Sequence, residues 1–101
     1  MEDITVQELK ERLEASEDLN LIDVREQYEW DEDNLGGTHI PLGQIPHSLD
    51  KLEALKDQEL IMLCRTGNRS GQAKMYLTQM GFSKVRNVLG GIMDYRLNEE
   101  D

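Results

Sequence analysis

One cysteine, Cys64, stands where an apolar run ends and a loop with two arginines begins, in the stretch LIMLCRTGNRSG from Leu60 to Gly71. Such a residue has two readings: a small core filler, or a nucleophile whose thiolate is stabilised by its surroundings. The loop favours the second. Gly67 permits backbone angles that turn successive amides inward as an anion nest. A helix starting about six residues after Cys64 would aim unpaired N–H groups and partial positive charge at the same point. Arg65 and Arg69 add fixed charge, one or both near the sulfur. Each feature favours thiolate over thiol, so the Cys64 pKa is expected below the free value of ~8.5. The expected site is a nucleophilic sulfur beside a small-oxyanion cradle formed by Arg65, Thr66, Gly67, Asn68, Arg69 and Ser70.

The elements that must position this loop are short. Thr5 has the place of an N-cap, Glu8 that of its reciprocal partner, and Ile4 and Leu9 that of a hydrophobic staple; Val6, Leu9 and Leu13 follow at helical spacing. Leu19 to Val24 reads as a buried strand, and Glu26 to Asp33 as a polar helical turn or two with Tyr28 and Trp30 packing one side. Gly36-Gly37 breaks it, and Pro41 and Pro46 bracket an extended connection. Ser48 can cap a short helix with Leu49, Leu52 and Leu55 facing inward. Leu60 to Leu63 lacks polar alternation, which suits a central strand covered on both faces. Ser70 to Met80 carries Ala73, Tyr76, Leu77 and Met80 on one stripe, with Gly81 as a C′ residue. Val85 to Leu89 is a strand, and Gly90-Gly91 leads into a last helix containing Ile92, Met93, Tyr95 and Leu97. Strands alternating with helices imply an α/β fold: a mostly parallel central sheet of about four to five short strands with helices on both faces. In such sheets, ligands bind outside the carboxyl ends of the strands, where Cys64 lies.

The chain has 101 residues and a formal net charge of −10, with no repeat and no low-complexity tract, and reads as a single domain over 1–101. The acidic balance argues against nucleic acid or an anionic membrane as partner. No apolar run approaches the ~20 residues of a membrane span. One cysteine excludes an internal disulfide and fits a reducing compartment, so a cytoplasmic location is expected. Residues 1–33 hold thirteen acids and three bases, whereas residues 64–90 hold five bases and no carboxylate. The acidic third is a solvated face or a docking surface for a basic partner. His39 and His47 have no usual ligand spacing with Cys64, so no metal site and no cofactor are expected.

CRTGNRS resembles the active-site loop of single-domain rhodaneses, the thiosulfate-type sulfurtransferases. Leu21-Ile22-Asp23-Val24-Arg25-Glu26 is similar to that family's first block, Gly37-Thr38-His39-Ile40-Pro41 to its second, and Val88-Leu89-Gly90-Gly91-Ile92 to its last, all in the expected order. Two positions depart from the pattern: GGTHIPLGQIP replaces a G-H-I-P-G-A continuation, and Tyr95 replaces a tryptophan; both are structural positions in the family, so they bear on the shape of the pocket rim and not on the chemistry. The resemblance implies a two-step covalent transfer. Cys64 takes the outer sulfur of an anion such as thiosulfate, releases sulfite, and passes the sulfur from its persulfide to an external thiol or protein acceptor. It further implies backbone amides of 65–69 on the persulfide, Arg65 and Arg69 guiding the donor, and hydroxyl contacts from Thr66 and Ser70. Asp23 and Arg25 would form a supporting polar network beneath the loop.

Alternatives are a non-turnover sulfur-relay or anion-binding regulatory module, and a cysteine phosphatase or arsenate reductase. The related phosphatases place arginine after five intervening residues, whereas Arg69 follows Cys64 after four. The missing second cysteine weighs against a reductase. Sulfite departure needs no general acid, and the loop segment offers no carboxylate.

Overall fold

The computed structural model describes residues 1–99. Four strands, β1 (Leu21–Asp23), β2 (Thr38–His39), β3 (Glu59–Leu63) and β4 (Lys84–Asn87), form one parallel sheet in the order β2-β1-β3-β4. Ile4 adds a one-residue parallel bridge to Val88 beside β4. Five α-helices surround the sheet: α1 (Val6–Glu14), α2 (Gln27–Glu32), α3 (Leu49–Leu52), α4 (Asn68–Gln79) and α5 (Gly91–Glu99). Among the described residues, no helix is long and apolar enough to cross a membrane.

The period of two sorts β3 between two cores. Leu60 and Met62 join Ile22, Val24, Leu52, Ala73, Leu77 and Val85 on one face. Ile61 and Leu63 join Ile4, Leu9, Leu21, Val88, Ile92 and Tyr95 on the other. Both faces being covered, the strand needs no polar alternation. Tyr95 thus fills the core between α1, α5 and the sheet, as a structural position should.

Several expected elements differ in detail. Thr5 caps α1 by accepting from the Glu8 N–H at 3.1 Å, but the Glu8 carboxylate accepts from Arg86 at 2.9 Å instead of closing a reciprocal box. Residues Leu42–Ser48 are not extended; they form 3-10 turns that continue through Pro46. The Ser48 hydroxyl donates back to the Gln44 carbonyl and leaves α3 without a side-chain cap. Leu52 is buried while Leu49 and Leu55 are half-buried. Tyr28 is exposed, and Trp30 stacks on His39 at 4.9 Å. Met80, Met93 and Leu97 are also exposed. Helix α4 begins at Asn68, closer to Cys64 than expected, because Gly67 takes up φ +107° and turns the chain into the helix at once.

The chain leaves β1 toward β2 on one side and later enters β3 on the other. The carboxyl ends of β1 and β3 therefore flank the point where the strand order reverses, the place where open parallel sheets form a crevice. Cys64 follows β3 directly.

Candidate active site

Cys64 is 1% exposed, at the base of the loop joining β3 to α4. Its Sγ accepts from the Gly67 N–H at 3.0 Å, and the Ser70 Oγ stands 3.2 Å away. Burial pushes the thiol pKa up, but hydrogen bonds from the Ser70 hydroxyl and from the Ser70, Gly67 and Thr66 amides overcome it, and the net displacement is downward. The expected direction holds, but the causes are the Ser70 hydroxyl first and then the amides of the chain turning into α4. Arginine charge is not its main source.

The two arginines have different surroundings. Arg69 points to α2, where its Nη1 and Nη2 donate to Glu29 at 2.6 and 2.9 Å. Arg65 is exposed and has no ion pair among the described residues. Thr66 is exposed, Asn68 opens α4 with its side chain outward, and Ser70 is fully buried. Both arginines were expected to serve a bound anion. Arg69 instead ties α2 to the loop.

Helix α5 holds the loop from the opposite side. Its first turn has unpaired N–H groups, and those of Ile92 and Met93 donate to the carbonyls of Cys64 at 2.9 Å and Arg65 at 3.1 Å. This approach requires Gly91, since a Cβ there would overlap the Arg65 carbonyl, and the residue sits at φ +63°.

Asp23 and Arg25 occupy the end of β1. Arg25 Nε and Nη2 donate to Asp23 at 3.0 and 2.8 Å, and Nη2 also donates to the Asp33 carbonyl at 2.6 Å. Both residues are buried. The pair anchors α2, and the His39 ring nitrogen bonds the Arg25 carbonyl at 2.7 Å.

A cleft of about 430 Å³ opens beside the loop between α2 and α5, lined by Tyr28, Glu29, Glu32, Arg65, Met93 and Arg96 among others. Three carboxylates, Glu29, Glu32 and Asp33, thus stand beside a loop that contains none. The absence of acid in the loop segment therefore does not describe the folded site. Glu29 and Asn87 are site neighbours that sequence spacing did not single out. Glu29 lay in the polar turn before Gly36, and nothing in the local pattern marked Asn87.

Residues 5–98 match the family described as Rhodanese-like domain. The chain belongs to that family. It is 43% identical over 94 residues to the Bacillus subtilis (strain 168) protein YtwF, covering 92% of this chain and 88% of YtwF. A protein of Allochromatium vinosum named "Sulfurtransferase" is 34% identical over 92 residues, covering 90% of this chain and 84% of that protein. Among solved structures, a rhodanese-like domain protein from Staphylococcus aureus superposes with a TM-score of 0.84 at 30% identity, covering 94% of this chain and 91% of that one. The rhodanese-like assignment accounts for the parallel sheet and the position of the cysteine loop together.

Proposed function

We propose that this protein is a sulfurtransferase that moves a sulfane sulfur through a Cys64 persulfide. The observation that carries the reading is the cradle: a buried sulfur facing the Gly67, Thr66 and Ser70 amides and the start of a twelve-residue helix. The relative named a sulfurtransferase supports the same class and implies a sulfur donor and an acceptor as partners. Cys64 thiolate attacks the outer sulfur of thiosulfate or a persulfide donor, the donor S–S bond breaks, and sulfite or a thiolate leaves with the electron pair. The negative charge then sits on the outer sulfur, within the amide cradle. An external thiolate attacks that sulfur and returns Cys64 as thiolate. Arg65, on the cleft and without an ion pair among the described residues, draws in the donor anion; Arg69 keeps α2 against the loop.

The phosphatase alternative is disfavoured by the direction of Arg69. A phosphate cradle needs its arginine turned inward over the anion, whereas this one is engaged with Glu29. Intact-mass measurement after incubation with thiosulfate or a low-molecular-weight persulfide tests the proposal. A gain of one sulfur is expected, removed by cyanide and absent in Cys64→Ser. No adduct with either donor would overturn it, and Cys64-dependent cleavage of an aryl phosphate would restore the phosphatase.

A further inference from the structure

Beneath the sulfur, the fully buried Ser70 hydroxyl stands between two acceptors, Cys64 Sγ at 3.2 Å and Asn87 Oδ1 at 2.5 Å. A hydroxyl carries one proton and can donate to one of them at a time. The far end of Asn87 settles which atom it shows to Ser70. Its Nδ2 donates to the Gly67 carbonyl at 3.1 Å, an oxygen that can only accept, so Oδ1 must face the hydroxyl. The Asn87 backbone is held as well: its N–H donates to Asp3 at 3.0 Å and its carbonyl accepts from Ile4 at 3.0 Å. At 8% exposure, Asn87 Oδ1 has little recourse to water if Ser70 turns away.

We propose that Asn87 is a positioning residue that competes with Cys64 for the single proton of Ser70, so that the thiolate gains the Ser70 hydrogen bond only when Ser70 turns from Asn87 to the sulfur. While Cys64 carries its proton, the S–H can donate to Ser70 Oγ and leave Ser70 to donate to Asn87. On ionisation the thiol proton leaves to water, Ser70 swings its own proton onto Sγ, and Asn87 Oδ1 loses its donor. Forming the thiolate therefore costs the Ser70–Asn87 bond. If the sulfur then becomes a persulfide, which rests on the function proposed above, the charge moves to the outer sulfur and Ser70 can return to Asn87. The pair thus favours the loaded anion over the empty one.

The charged groups facing the loop are Arg65 on the loop itself and Arg69 on α4 with Glu29 from α2. The others are the Asp23–Arg25 pair at the end of β1, Lys74 with Asp3 beside Asn87, and Glu32, Asp33 and Arg96 lining the adjoining cleft. All are retained in the variants that test the idea.

The experiment is a titration of the Cys64 thiolate by ultraviolet absorbance in the folded protein. Asn87→Leu keeps the size of the side chain and removes the acceptor. It should lower the Cys64 pKa, giving about tenfold more thiolate at a fixed pH on the acid side of the transition. Ser70→Ala should raise the pKa, and adding Asn87→Leu to Ser70→Ala should change it no further. If circular dichroism shows that Asn87→Leu does not fold, Asn87→Ala makes the same comparison. A cradle merely loosened by losing Asn87 would shift the pKa upward. An upward or absent shift, or an equal downward shift without Ser70, overturns the proposal. No sulfur donor enters the titration, so its outcome is independent of whether thiosulfate loads Cys64.

Discussion

Glu29 is held to about 2, well below the ordinary carboxylate range, first by its bidentate hydrogen bonds with Arg69 and against an opposing effect of burial. The folded value lies below the unfolded one, so the contribution to stability is complete above about pH 4.5 and is lost as the pH falls toward 2. A shift of this size corresponds to about 3 kcal/mol. The Arg69 side chain is 32% exposed, so solvent screening reduces the expected value to about 1–2 kcal/mol. Glu29→Gln should therefore destabilise the protein by about that amount at neutral pH, with the difference from wild type shrinking between pH 4.5 and 2 in urea denaturation. A difference that stays constant across that interval would mean the pair is not the latch described here. Arg65, without an ion pair among the described residues, is expected to matter little to stability.

At the level of elements, the loop is gripped by two helix starts. Helix α4 turns its amides onto the sulfur, and α5 spends its first amides on the carbonyls of Cys64 and Arg65. The grip depends on glycine at the points of closest approach. Gly67 sits at φ +107°, where a Cβ would be strained and would also come within 3.4 Å of the Val88 carbonyl. Gly67→Ala should cost about 1–2 kcal/mol in chemical denaturation. It should also raise the Cys64 pKa in thiol alkylation, because the Gly67 N–H is one of the groups holding the anion. Loss of stability with an unchanged alkylation profile would separate the turn from the cradle. The Thr5 cap is a contrasting case: its hydrogen bond serves α1 alone, away from the loop.

Across the whole molecule, the uneven charge along the chain becomes internal pairing. Lys74 meets Asp3, Arg69 meets Glu29, and Arg86 meets both Glu8 and Glu59. Three of the five bases in the carboxylate-free segment are thus matched, largely by acids of the first third. Arg86 is the hub: 8% exposed, it also donates to the Glu2 carbonyl at 2.8 Å and so fastens the N-terminal segment along β4. Arg86→Ala should cost about 1–2 kcal/mol, since it frees that segment and leaves Glu8 and Glu59 to share Arg12 alone, with Glu8 partly screened by solvent. Thermal and urea unfolding would check this, and a change under 0.5 kcal/mol, the range of ordinary surface substitutions, would remove Arg86 from the account.

Much of this protein was determined by its sequence alone. The unbroken apolar run Leu60 to Leu63 dictated a strand covered on both faces, because no side chain in it could tolerate water. Gly67 and the cysteine before it dictated a loop whose amides turn onto the sulfur, and four ordered blocks pointed to the family that residues 5–98 match. These features are local, and their physics lies within a few residues of chain. Tertiary structure decided what depends on distant partners. It turned Arg69 away to Glu29, brought carboxylates to a loop that has none, and placed Asn87 beneath Ser70 through the register of β3 with β4. A side chain's charge is written in the chain. Whether that charge is spent on a neighbour or left free for a ligand depends on which elements pack against it.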